Sequence, residues 1–276
     1  PMHFLIMLNS SSAFDLVHDV RLPSLSSPLL AYETGVHVGD GSLQIVEGGT
    51  HSVRYFGHSD DDWLFFTSLL PSLVASLYNK NVAPGKRTRG KTCYLAVCSK
   101  KVALFKRDVL GLPVGSKLSL RDIPQMFKDE ESLLRAFLRG VADTDFSLYF
   151  TKNKMGLPVY PEISCVMANK NLICAFADAL RRLGFSVRTR FDIKRVRKGR
   201  EHYEHLLALG GRKQLEKWMD IIGFYNPKHL SKYLLWKILG YCPSHLTTQE
   251  RLFLLQRDTN SLTFIPDFFQ PKAKTP

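Results

Sequence analysis

The chain has 276 residues, 45% of them hydrophobic, with 38 Lys and Arg against 25 Asp and Glu, a formal net charge of +13. That length and apolar share exclude a disordered chain and fit one to two domains with a buried core. The positive excess selects a polyanionic partner. No apolar run approaches the ~20 residues of a membrane span, so nucleic acid fits better than a membrane.

The apolar start PMHFLIML is short, lacks a basic flank and runs into polar NSSS, a pattern unlike a signal peptide. Five cysteines, Cys93, Cys98, Cys165, Cys174 and Cys242, contain no CxxC pair, as expected of a reduced, intracellular protein without a zinc knuckle. His202 and His205 fall on opposite faces of a predicted strand and make a poor metal pair.

From residue 28 the chain reads as one order of elements written twice. Ser27-Pro28 is a helix cap and first position before an apolar helix ending at Gly39. Ile123-Pro124 opens the second half and leads to LLRAFLRGVADT. Two short strands follow in each half, SLQIV and HSVRYF, then SLYFTK and PEISCVM, each pair turning through Gly-Gly or Gly-Leu-Pro.

Amphipathic helices come next, Ser59 to Tyr78 and Asn169 to Leu183. Asp60, Asp61 and Asp62 fall in the first turn of the former, where acids complement the helix dipole, so the run reads as capping and not as a metal cluster. A second hairpin has a basic turn in both halves: Lys86, Arg87, Arg89 and Lys91, then Lys194, Arg195, Arg197, Lys198 and Arg200. Strand YLAVCS or YEHLLAL, a helix, and the matching segments LGLPVGSK and IGFYNPK close each half.

The predicted fold is therefore α+β, tandem αββαββα repeats with two antiparallel four-stranded sheets. The expected divisions are an extension (1–27), a first repeat (28–122), a second repeat (123–232) and a C-terminal extension (233–276). In the last, KYLLWKIL and TTQERLFLL are helix candidates and IPDFFQPKAKTP frays.

Two segments at matching places carry the chemistry, GVHVGDGSL (Gly35 to Leu43) and GVADTDFSL (Gly140 to Leu148). Each has small residues four apart and then an acid: Gly35, Gly39, Asp40 and Gly140, Thr144, Asp145. Positions i and i+4 share a helix face, so two such helices pack closely with one carboxylate each at the joined ends. Alone, either copy reads as core packing with a C-terminal acid; paired inside a duplicated frame, they read as two halves of one site. Carboxylates holding divalent metal ions supply what phosphodiester hydrolysis needs: an activated water, a neutralised phosphorane and a stabilised leaving oxygen.

Glu33 to Gly41 (ETGVHVGDG) and Leu138 to Phe146 (LRGVADTDF) resemble the nine-residue signature of the LAGLIDADG homing endonucleases, of the monomeric, archaeal intron-encoded kind, over roughly residues 28–232. The resemblance implies a pseudo-two-fold monomer with a central two-helix interface and a saddle of two sheets over double-stranded DNA. It implies that Asp40 and Asp145 ligate Mg²⁺, with backbone carbonyls from Gly39 and Thr144. Mn²⁺ is expected to substitute, and Ca²⁺ to bind without supporting cleavage. Lys117 and Lys228 match the family's basic residue late in each half, which stabilises developing charge or polarises solvent. The second signature departs from the family by ending in Phe146 instead of Gly, so a shifted metal geometry is expected there.

The saddle positions implied by the resemblance are Gln44, Arg54, Lys152, Lys154, Arg188 and Arg190, with the basic tips reaching the outer backbone. The expected function is a site-specific double-strand DNA endonuclease acting on a long asymmetric or pseudo-palindromic target. An RNA maturase or DNA-binding protein on the same scaffold, with cleavage lost, is the alternative. A basic structural protein explains the repeat but not the paired acids.

Overall fold

The computed structural model describes residues 12–197 and 199–257; Lys198, the apolar start at 1–8 and the Pro-rich end at 265–276 lie outside them. A short helix, α1 (Ala13–Val17), carries Asp15, whose carboxylate accepts from Ser99 Oγ at 2.6 Å and Lys101 N at 3.1 Å. These bonds tie the N-terminal extension to the first repeat.

Ser27 is extended and its side chain accepts from Leu30 N, with Pro28 behind it, so the predicted cap starts α2 (Pro28–Asp40). The sequence predicts an end at Gly39, but the helix runs one residue further. Gly41 then leaves it in an extended conformation, directly into β1 (Gly41–Ile45). β2 (His51–His58) returns antiparallel, pairing Gly41 with Tyr55 and Ile45 with His51. A π-helical turn (Phe65–Leu69) runs into α3 (Leu70–Tyr78), and β3 (Gly85–Lys86), β4 (Thr92–Cys98) and α4 (Lys100–Asp108) complete the repeat.

The second repeat follows the same order: α5 (Glu131–Asp145), β5 (Phe146–Lys152), β6 (Pro158–Met167), α6 (Lys170–Arg182), β7 (Arg188–Arg197), β8 (Arg200–Gly210) and α7 (Arg212–Ile221). The sheets share one topology, β1-β2-β4-β3 and β5-β6-β8-β7. Alternate strand residues face inward. Leu43, Val53, Tyr55, Leu95 and Val97 are buried in the first half, and Leu148, Ile163, Cys165, Leu207 and Leu209 in the second. Between the halves lie α2 and α5, and every residue of α2 from Leu30 to Gly39 is buried.

Two details differ from the sequence expectation. Asp60, Asp61 and Asp62 lie in the turn before the helix, not in its first turn, because Asp62 folds back so that its carboxylate accepts from His58 N at 2.9 Å. The first strand of the basic hairpin is only two residues long, and the expected basic turn, Arg87 to Lys91, is a loop. After the repeats come α8 (Pro227–Leu239), which runs through the expected boundary at residue 232, and α9 (Thr248–Arg257) packed against it through Leu230, Leu234, Leu235 and Leu255.

Candidate active site and nucleic-acid surface

The small residues of α2 and α5 are required by space. A Cβ on Gly35 would strike the Phe137 carbonyl and lie 2.9 Å from Val141 N; one on Gly140 would strike the Tyr32 carbonyl and lie 2.8 Å from Val36 N. The sequence expectation set Gly35 and Gly39 against Gly140 and Thr144. In the structure Gly35 and Gly140 each face the backbone of the opposite helix, while Gly39 meets the Thr144 side chain. This contact joins the last turns of the two helices, and Asp40 and Asp145 are their final residues.

The two acids occupy one electrostatic unit. A Cβ on Gly39 would lie 3.5 Å from Asp145 Cγ, which places that carboxylate beside the residue preceding Asp40. Burial, then the Asp145 charge, pushes Asp40 up to about 7, against the opposing pull of Lys228 and Lys117. Asp145 is also raised by burial, with Lys117 and Lys228 opposing. Both stand at helix C-termini, where the macrodipole is negative and disfavours further negative charge.

Such a pair is stabilised by a cation. Among the described residues no group of three or more His, Cys, Asp or Glu comes together. The donors that the signature implies are the two carboxylates and the carbonyl oxygens of Gly39 and Thr144. Mg²⁺ is held in this way, by one or two carboxylates completed with water and phosphate oxygens. The residues fit the metal that the signature implies.

Lys117 and Lys228 both act on the two acids. Lys117 begins a single 3₁₀ turn (Lys117–Ser119), and its Nζ donates to the Gly39 carbonyl oxygen, one of the carbonyls expected to face the metal. Burial holds Lys117 below the usual lysine value, opposed by Asp145 and Asp40. Lys228 opens α8, and its Nζ lies 2.9 Å from Asp62 Oδ1. Burial works against the Lys228 ammonium, but Asp62, Asp40 and Asp143 outweigh it and hold its pKa above the ordinary value.

A shell of residues that sequence reasoning missed fixes these lysines. Asp143 accepts from the backbone N–H groups of Tyr225 and Asn226 at 3.0 Å and from Tyr32 Oη at 2.7 Å. Burial raises Asp143 to about 6, with Asn226, Tyr32 and Tyr225 opposing. Asn226 caps α8 and donates its amide to Asp62 Oδ1 at 3.0 Å. On the other side Asn169 caps α6 and donates to the carbonyls of Lys117 and Leu120, each at 2.9 Å. The Asn-Pro start of α8 was readable as a cap; its link to the Asp run was not.

Phe146 belongs to the hydrophobic core. It is fully buried against Phe176 and Trp218, with ring centroids 6.4 and 5.8 Å away. At the matching position a Cβ on Gly41 would lie 2.6 Å from His37 Cγ. One half fills that core space with His37 one turn earlier. The other has Ala142 there and fills it with Phe146. The glycine-to-phenylalanine departure is met by repacking of the core.

The expected DNA-facing residues divide by strand parity. Gln44 and Arg54 are exposed, on the face opposite Leu43 and Val53. With Lys86, Arg87, Arg89, Phe56 and Tyr94, Arg54 lines a basic groove. Arg188 and Arg190 are exposed and pair with Ala208 and Leu206; past a bulge, Arg195 and Arg197 pair with His202 and Arg200 on the same face. Lys194 pairs with Tyr203 and points the other way.

Lys152 differs from expectation: it shares the parity of buried Phe146 and Leu148, beyond a register shift at Thr151/Lys152, and Lys154 lies in the turn. Outward positions of β5 and β6 are Tyr149, Thr151, Tyr160 and Val166. Acids hold two arginines on this face: Arg188 meets Glu162 at 2.6 Å and Arg195 meets Glu204 at 3.3 Å.

No protein-family model matches the chain, and no curated protein matches it in sequence. Among solved structures it is similar to the homing endonuclease I-DmoI in complex with DNA and Ca, 19% identical over 70% of this chain and 88% of that one, with a TM-score of 0.49. It is also similar to the LAGLIDADG homing endonuclease I-GzeII in complex with its DNA target, 11% identical over 88% and 96% of the chains, with a TM-score of 0.47. The meganuclease I-SmaMI bound to uncleaveable DNA is 11% identical over 92% and 100%, with a TM-score of 0.48.

Proposed function

We propose that this protein is a site-specific, divalent-metal-dependent endonuclease of double-stranded DNA that works as a single chain. The observation that carries the proposal is the pair Asp40 and Asp145, one from each repeat, at abutting helix ends and flanked by Lys117 and Lys228. Bound Mg²⁺ would supply an activated water and neutralise charge on the reacting phosphate.

The chain's own residues do the rest. Asp40 and Asp145, with the Gly39 and Thr144 carbonyls, would hold the metal, and the cost of crowding two carboxylates is relieved when it binds. Lys117 and Lys228 present ammonium groups beside the acids, where they stabilise charge developing on phosphate or leaving oxygen. Arg54, Arg188, Arg190, Arg195 and Arg197 lie on outward sheet faces suited to base edges and phosphates; the loop from Lys86 to Lys91 and the tip near Arg200 suit the backbone. Two half-sites in one chain allow the duplex to be cut on both strands without dimerisation.

The test is a supercoiled plasmid library incubated with protein and Mg²⁺. Linear product at one recurring sequence, abolished by Asp40→Asn and by Asp145→Asn, is expected. DNA binding without cutting in Mg²⁺ or Mn²⁺ overturns the nuclease reading in favour of a binding protein.

A further inference from the structure

The two lysines are held differently, and the difference lies in residues that the repeat does not share. A side chain just after each first hairpin reaches across to the opposite half's lysine segment: Asn169 to the Lys117 loop, Asp62 to Lys228. In the Lys117 segment Asn169 donates to the carbonyls of Lys117 and Leu120 and not to the ammonium, and among the described residues Lys117 forms no ion pair. Asp62, 7% exposed in its side chain, ion-pairs the Lys228 ammonium itself.

Lys228 has a second support without a counterpart in the first half. Arg251, buried in α9, donates Nη2 to the Lys228 carbonyl at 3.2 Å and to Thr248 Oγ1 at 3.0 Å, and Nε to Ser231 Oγ at 2.9 Å. Thr248 in turn meets Asp61 at 3.3 Å. The C-terminal helix therefore closes a ring, Asp61 to Thr248 to Arg251 to Lys228 to Asp62, around one lysine only.

We propose that Asp62 and Arg251 are positioning residues for Lys228, and that this one-sided support makes the two halves unequal in how they cut the two strands. The proposal rests on the nuclease reading for its consequence, but not for its geometry. With Asp62 gone, the Lys228 ammonium loses a charge-assisted hydrogen bond and samples positions away from the acids. With Arg251 gone, the start of α8 loses its anchor to α9.

The experiment has two arms. In the first, without DNA or metal, the full chain is treated with an acetylating N-hydroxysuccinimide ester, and labelling at Lys228 is read by peptide mass spectrometry relative to Lys117. Asp62→Asn and Arg251→Gln are each expected to raise that ratio about tenfold, as loss of one charge-assisted bond implies. General loosening raises both lysines and leaves the ratio unchanged, which overturns the proposal.

In the second, end-labelled target recovered from the plasmid library is cut in Mg²⁺. The strand slowed by Lys228→Met should also slow about tenfold in Asp62→Asn and Arg251→Gln, the other staying within about twofold, so duplex nicked in one strand accumulates. Arg251→Lys, which keeps a donor for the carbonyl, should restore part of the lost rate. Equal slowing of both strands overturns the proposal. If the wild-type chain cuts neither strand, the nuclease reading fails, and the labelling ratio alone decides whether Asp62 and Arg251 position Lys228.

Discussion

Glu33 and Lys106 form an ion pair 2.6 Å apart whose two side chains are no more than 1% exposed. Tyr55 and Tyr78 also donate to the Glu33 carboxylate, and the matching positions of the second repeat hold the buried apolar pair Leu138 and Trp218. Removing one partner leaves a buried charge, so Lys106→Met should cost about 3–5 kcal/mol. Replacing both, as Glu33→Leu with Lys106→Met, should recover more than half of that in urea unfolding. A double variant no better than the single one would contradict this account.

His37 with Gly41, and Ala142 with Phe146, fill the same space in opposite ways. Phe146→Gly empties a core site and should cost about 3–5 kcal/mol. Gly41→Phe alone overpacks the first half, and adding His37→Ala should return most of the lost Tm. Thermal melts of the three variants read this directly; absence of rescue means that the halves do not compensate in this way.

Asp40 is expected to set the pH dependence of the proposed metal binding. Its folded pKa, about 7, lies above the ordinary carboxylate value, so the proton is favoured in the folded, metal-free chain. The stability this contributes is complete below the unfolded pKa and is lost as pH rises through about 7. A cation must displace that proton, so Ca²⁺ affinity should rise between about pH 6 and 8 and then level off, and Asp40→Asn should abolish the rise. At pH 8 without metal the same variant should melt a few degrees higher than wild type. Calorimetry in two buffers of different ionisation heat counts the protons released.

The salt dependence of DNA affinity tests the basic faces. For every phosphate left unneutralised, the slope of log K against log salt should fall by about 0.9. Neutralising Arg197 and Arg200 should flatten it by nearly that amount per residue. Removing Lys194, which points away from the arginine face, should change it less. An unchanged slope in the Arg197 and Arg200 variants sinks the DNA surface.

The duplication was legible because periodicity, caps and turns are local properties, and they recur at matched places: Ser27-Pro28, the Gly-Gly and Gly-Leu-Pro turns, the paired acids. The helix pair was legible down to its glycines: Gly39 meets Thr144 as expected, and Gly35 and Gly140 each face the backbone of the opposite helix. What stayed hidden depends on distance in sequence. Asp62 read as a helix cap because nothing local reveals a lysine 166 positions later, and nothing around Arg251 signals a partner outside its own helix. Lys152 was placed outward although it shares the parity of buried Phe146 and Leu148, and the register shift beside it shows only in the pairing.

The crossing of Asn169 and Asp62 into the opposite half bears on how such a chain can be recombined. Neither repeat carries the complete support for its own lysine. Cutting the chain at the linker and joining its first half to a foreign second half keeps Lys117 but discards the amide that fixes its loop; the reverse chimera strands Lys228 without its counter-charge. A hybrid chain would have to transplant these single side chains together with the helix interface, and a symmetric dimer of either half would need its anchor written in by hand.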